Sequence, residues 1–254
     1  MNISDLFNLK TKTAIVTGAS RGLGQAMAIG LAKAGANVVA ADLLEVAVTV
    51  DDIKRLGRES FGVKVDVTKP ADIEKMVQQT VKKFGRIDIL VNNAGIVRQA
   101  LAESMKQKDW DDVIQINLKG EFLCAQEVGK QMIKQQTGRI INIASVAGLL
   151  GSTGTAAYCA SKAGIILMTK TLALEWAKYN INVNAICPGV FVTTMTDPYL
   201  KDPSFQQLIK TRVPLARPGV PEELVGTVIF LSSRASEYMT GHALVIDGGW
   251  TAGL

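Results

Sequence analysis

Short, nearly unbroken runs of apolar and β-branched residues recur at positions 13–17, 37–41, 62–65, 88–91, 139–143, 182–186 and 243–246. A strand with one face in water alternates apolar and polar residues. These runs stay mostly apolar through successive positions, as strands covered on both faces do. Longer segments of helical character lie between them, at 23–34, 71–84, 110–134, 157–178 and 221–231. Regular alternation of strand and helix predicts an α/β fold, a doubly wound seven-stranded parallel sheet with helices on both faces and right-handed crossovers. No repeat, low-complexity stretch or linker interrupts the pattern, so residues 1–254 are expected to form one domain. The segment 163–177 is apolar around most of its circumference, which predicts burial within the domain or against another subunit.

Composition narrows the function classes. The chain has 254 residues, 48% hydrophobic and 20% charged, enough for one well-buried core. No run of eighteen apolar residues predicts a membrane span, and the N-terminus lacks the basic start and apolar stretch of a signal peptide. A cytoplasmic protein is expected, with Cys124, Cys159 and Cys187 as reduced thiols rather than metal ligands. The net charge of +5 is dispersed, with no basic stripe or aromatic-rich patch to mark a nucleic-acid surface. His242 is the single histidine, so acid–base chemistry must fall on other side chains.

Two local patterns carry chemistry. The first predicted strand runs into Thr17-Gly18-Ala19-Ser20-Arg21-Gly22-Leu23-Gly24 and then a helix. Glycines there let the backbone approach a pyrophosphate, and the helix N-terminus offers free N–H groups. Asp42 closes the second strand, where a carboxylate accepts hydrogen bonds from the ribose hydroxyls of NAD and repels the 2′-phosphate of NADP. Arg21 pulls the other way, since it can pair with that phosphate. NAD(H) is favoured, NADP(H) is the alternative, and a capping Asp42 and a solvated Arg21 are the commonplace readings. Asp66, after the third strand, is read either as a contact to an adenine edge or as an ordinary strand-end acid.

The second pattern is Tyr158-Cys159-Ala160-Ser161-Lys162, with Ser145 upstream. Four-residue spacing puts a phenol and an ammonium on one helix face. A phenol ordinarily loses its proton near pH 10, and a fixed positive charge nearby favours the phenolate.

Together these residues resemble the short-chain dehydrogenase/reductase family over essentially the whole chain. The family's fold is a Rossmann-like domain. The resemblance implies a catalytic tetrad of Asn117, Ser145, Tyr158 and Lys162, with Tyr158 as acid and base, Ser145 holding the substrate oxygen, Lys162 on the nicotinamide ribose and Asn117 holding a relay water. It implies cofactor contacts from Gly18, Ser20, Arg21, Gly22, Leu23, Gly24, Asp42, Asp66 and Val67. Asn92-Asn93-Ala94-Gly95 resembles the motif after the fourth strand, which adds Asn93, Ala94 and Gly95. Pro188, Gly189, Phe191 and Thr193 resemble the nicotinamide cradle, and 190–214 a lid over the substrate. No metal is required. The region around Arg98, the short segment after Asp42 and the ending Asp247-Gly248-Gly249-Trp250 look like sugar-acid dehydrogenases of the 2-deoxy-D-gluconate 3-dehydrogenase and gluconate 5-dehydrogenase type. Arg98 would then grip a substrate carboxylate, a solvent-facing loop arginine being the competing reading. Arg212 and Arg217 are weaker candidates of the same kind. A homotetramer acting on a small molecule is implied. Two other readings stay open: an NADP-dependent 3-oxoacyl-acyl-carrier-protein or broad carbonyl reductase, and a non-catalytic dinucleotide- or nucleic-acid-binding protein.

Overall fold

The computed structural model describes residues 2–253. Seven strands, β1 (Thr13–Thr17), β2 (Asn37–Asp42), β3 (Ser60–Lys64), β4 (Ile89–Asn92), β5 (Gly138–Ile143), β6 (Ile181–Pro188) and β7 (Ala243–Ile246), make one sheet. Their order is β3-β2-β1-β4-β5-β6-β7 and every pair is parallel. The helices are α1 (Ile3–Leu6), α2 (Gly22–Lys33), α3 (Ala47–Arg55), α4 (Pro70–Phe84), α5 (Gln107–Val113), α6 (Glu121–Gln135), α7 (Ala156–Trp176), α8 (Asp197–Leu200), α9 (Pro203–Arg212) and α10 (Val225–Ser232). No helix among the described residues is long and apolar enough to cross a membrane.

Successive strand residues point to opposite faces, and each face has its own core. Ala14 and Val16 of β1 pack with Met27 and Leu31 of α2 and Val228 of α10. Ile15, between them, packs with Met76 of α4, Val128 of α6 and Leu172 of α7. This two-sided burial is why most of the strands read as largely continuous apolar runs. At the sheet edge the rule weakens. In β3, Ser60 and Val63 are buried while Gly62 and Lys64 are exposed, so the strand starts two residues earlier than its apolar run.

Two expectations need correction. α3 was not among the predicted helices; Ala47-Val48-Thr49-Val50 is rich in β-branched residues, and burial of Thr49, Val50 and Ile53 overrides that weak local preference. The helix predicted over 110–134 starts earlier, at Gln107, and is broken by a π-helical stretch, Ile114–Gly120, between α5 and α6. The lid-like segment 190–214 contains α8 and α9. Pro198 and Pro203 sit in the first turns of α8 and α9, where a missing N–H costs nothing.

The chain leaves β1 for α2 on one face and leaves β4 toward α5 and α6 on the other. The loops after these adjacent strands therefore diverge and open a crevice at their carboxyl ends.

Candidate functional site

A cleft of about 580 Å³ occupies that crevice. It is lined by Gly18, Ser20, Arg21, Gly22, Leu23, Gly24, Asp42, Asp66, Val67, Asn93, Ala94, Gly95 and Thr193. Gly18 has φ +65°, a conformation that side chains disfavour. A Cβ on Gly24 would lie 2.0 Å from the Gly18 carbonyl oxygen and 2.5 Å from Asn93 Nδ2, so the turn closes only around glycine. Arg21 at the N-cap of α2 makes no side-chain capping bond, which leaves the first-turn N–H groups available. Glycines packed this tightly before an uncapped helix N-terminus form a cradle suited to a pyrophosphate.

Hydrogen bonds hold the cradle from below. Asn93 Nδ2 donates to the carbonyls of Thr17 and Gly18 at 3.0 and 3.1 Å. Thr17 Oγ1 accepts from the N–H groups of Asn93 and Ala94. Asp42 lines the cleft and accepts from the N–H groups of Ser20 at 2.9 Å and Leu44 at 3.0 Å. Its carboxylate is thereby aimed between the glycine turn and the loop after β2. Asp66 accepts both the N–H and the hydroxyl of Thr68. Partial burial opposes its ionisation, but those bonds and Lys69 outweigh the burial and hold the carboxyl below its ordinary range.

A smaller recess of about 110 Å³ shares Leu23, Asn93, Gly95 and Thr193 with the cleft. Ser145, Tyr158, Lys162, Pro188, Gly189 and Phe191 complete its wall. Ser145 follows β5; its Oγ accepts the Ala147 N–H at 3.1 Å, which leaves the hydroxyl proton free to donate. Lys162 is buried and donates to the Ile143 carbonyl at 2.6 Å, with Glu121 Oε1 at 3.6 Å. Its ammonium lies 5.8 Å from the centre of the Tyr158 ring. Cys187, on β6 next to Pro188, is inert as a thiol: burial pushes it up to about 11, against the opposing Ser145 backbone bond and the Lys162 charge.

Asn117 lies in the π-helical stretch, a local widening that recurs at functional sites. Its Oδ1 accepts the Ile96 N–H at 2.8 Å, and its Nδ2 donates to the Ile96 carbonyl and to Ser161 Oγ. The side chain thus ties the loop after β4 to α7.

Arg98 lines the large cleft and is absent from the residues lining the Tyr158 recess; its Nε lies 3.8 Å from Asp109. Arg217 is engaged in a two-pronged pair with Glu223 at 2.8 and 2.7 Å, and Arg212 is exposed in the last turn of α9. Two features escaped the sequence reading. One is the buried chain in which Asn92 donates to Asn142 and Asn142 to Thr169, linking β4, β5 and α7 behind the recess. The other is Glu121, whose visible signal was a carboxylate one helical turn after Asn117, just before the apolar run Phe122-Leu123-Cys124-Ala125.

Comparisons with known proteins decide the family. A family model described as Enoyl-(Acyl carrier protein) reductase matches residues 18–251. The 2-dehydro-3-deoxy-D-gluconate 5-dehydrogenase of Dickeya dadantii is 42% identical over 98% of this chain and 99% of that protein. The chain belongs to the short-chain dehydrogenase/reductase family. As a member it is an oxidoreductase that acts on CH–OH groups with a nicotinamide dinucleotide as acceptor. A 3-oxoacyl-acyl-carrier-protein reductase of Staphylococcus aureus is 44% identical over 94% of this chain and 98% of that protein. Among solved structures, a gluconate 5-dehydrogenase from Burkholderia cenocepacia, in complex with NADP and tartrate, superposes with a TM-score of 0.96. It is 36% identical, and the match covers 100% of both chains.

Proposed function

We propose that this short-chain dehydrogenase/reductase uses NAD(H) to interconvert a secondary alcohol and a ketone on a sugar acid or similar small polar hydroxy/keto compound. The observation that carries the proposal is the meeting of Ser145, Tyr158 and Lys162 in one recess continuous with the glycine-lined cleft. The bound nicotinamide supplies or accepts the hydride. Tyr158 gives a proton to the carbonyl oxygen in reduction and takes the hydroxyl proton in oxidation. Ser145 donates its free O–H to that oxygen as charge develops on it. Lys162, held by the Ile143 carbonyl, binds the nicotinamide ribose and favours the phenolate. Asn117 keeps the Ile96 loop against α7, so that Gly95 borders both the cleft and the recess.

Support for the sugar acid comes from the relatives named as gluconate-type dehydrogenases, together with Arg98 at the cleft wall. Support for NAD comes from the Asp42 carboxylate, which a 2′-phosphate would have to approach against like charge. The opposing observations are Arg21 in the turn and the NADP bound by the Burkholderia relative. The second reading, an NADP-dependent 3-oxoacyl-acyl-carrier-protein reductase, rests on the Staphylococcus relative. One panel separates them: gluconate-type acids, polyols, cyclic ketones and β-keto thioesters, each assayed with NAD(H) and NADP(H). The expected result is highest kcat/KM on a sugar acid with NAD(H). Clear preference for NADPH would overturn the Asp42 argument, and preference for a β-keto thioester would select the second reading.

A homotetramer is part of the same proposal. α7 leaves Leu167 66% and Leu174 84% exposed on the face opposite its buried side. β7, paired only with β6 among the described residues, forms the other sheet edge. Covering each such leucine contributes about 1.5–3 kcal/mol. Sedimentation velocity is expected to show a tetramer that Leu174→Glu splits into smaller species. A wild-type monomer at micromolar concentration would contradict this assembly.

A further inference from the structure

Glu121 opens α6 one turn after Asn117. An acid in a first helical turn ordinarily faces water. This one is 2% exposed, and neither carboxyl oxygen has a hydrogen-bond partner among the described residues. Its backbone is fixed, since Asn92 Nδ2 donates to the Glu121 carbonyl. The charged group beside it is Lys162 of α7, at 3.6 Å from Oε1, beyond good hydrogen-bond range. The ammonium spends its short bond on Ile143 instead. A buried ion pair without supporting hydrogen bonds does not repay the cost of taking both charges out of water. Burial accordingly pushes the Glu121 carboxyl up to about 8, against the opposing charge of Lys162. On its own helix the titratable group facing it is Cys124, a thiol that burial and the Glu121 charge push up to about 12 and so keep neutral.

We propose that Glu121 is a positioning residue that acts through Lys162: by gaining or losing its proton, the buried carboxyl sets how much of the ammonium charge is available to Tyr158. The proposal rests on the roles given above to Tyr158 and Lys162. With Glu121 neutral, Lys162 presents its full charge to the recess and the phenolate is favoured. When the carboxyl loses its proton to solvent, the new negative charge offsets the ammonium, and phenolate formation becomes harder. No electron moves and no bond other than O–H breaks. The carboxyl therefore acts as a brake on alkaline activation.

The test follows tyrosinate absorbance against pH in the protein saturated with NAD+ or NADP+, whichever binds more tightly. Wild type is compared with Glu121→Gln, Tyr158→Phe and Lys162→Met. The chain has four tyrosines, and the component missing from Tyr158→Phe belongs to Tyr158. In Glu121→Gln this component is expected to develop about one pH unit lower than in wild type, the size of a removed charge at an effective dielectric of about 20. Infrared spectra of wild type are expected to show a protonated-carboxyl band that fades as pH passes through about 8. Superimposable tyrosinate curves for wild type and Glu121→Gln overturn the proposal. So does an infrared spectrum without a protonated carboxyl at neutral pH, a measurement that needs no variant to fold. Lys162→Met separates the two layers. If it leaves the Tyr158 component unmoved, the reading of Lys162 has failed; if it moves the component and Glu121→Gln does not, only the role of Glu121 has failed.

Discussion

Tyr158→Phe is expected to fold as wild type does and to lose turnover by roughly 10²–10⁴-fold, the range a positioned general acid–base group supplies. The ring stays in place, and Phe keeps the packing of Tyr158 in the wall of the recess. Only the hydroxyl proton is removed. Ser145 does not replace it, because an unperturbed hydroxyl is a far weaker acid than a phenol, and its oxygen is already held by the Ala147 N–H. His242 offers no substitute either: it lies beyond the recess, at the approach to β7. The deciding comparison is kcat in both directions alongside cofactor affinity. Loss of kcat with retained affinity is the expected split, whereas near-normal turnover would remove Tyr158 from the chemistry.

Gly24→Ala is expected to weaken cofactor binding by roughly ten- to a hundredfold and to lower the melting temperature. The new methyl would stand 2.0 Å from the Gly18 carbonyl oxygen and 2.5 Å from Asn93 Nδ2. Neither is the free end of a flexible side chain. The carbonyl is backbone, and the Asn93 amide is committed to two carbonyls of the same turn. The turn must therefore open, which breaks those bonds and pulls the N–H groups at the start of α2 away from where a pyrophosphate would lie. Overpacking of this kind costs about 1–3 kcal/mol, and each 1.4 kcal/mol is about tenfold in affinity. Fluorescence titration with NADH and NADPH, with a thermal melt of the free protein, measures both effects. An unchanged dissociation constant would show that the turn does not hold the cofactor.

The glycine turn and the Tyr158–Lys162 spacing were legible because each is a local demand. Gly18 needs positive φ and Gly24 needs the absence of a Cβ, and both show as residue types at fixed spacing. Helix geometry alone placed Tyr158 and Lys162 on one face. Strand positions were legible wherever burial on both faces removed the polar alternation, and least so at β3, where one edge faces water. α3 was hidden because its β-branched residues argue against the helix that packing imposes. The π-helical stretch around Asn117 left no mark in periodicity, since Trp110 to Lys134 reads as one helix.

The sequence by itself determined the fold class, the glycine turn and the shared helix face of Tyr158 and Lys162, because apolar runs, glycine placement and helical spacing act over a few neighbouring residues. Only the tertiary structure decided which distant groups meet. It placed Glu121 behind Lys162, engaged Arg217 with Glu223 and set Arg98 on the wall of the large cleft. Those outcomes depend on how α6, α7 and the loops after β4 and β6 cross the sheet. A side chain's burial and its charged neighbours are properties of that crossing, and no short stretch of residues encodes them.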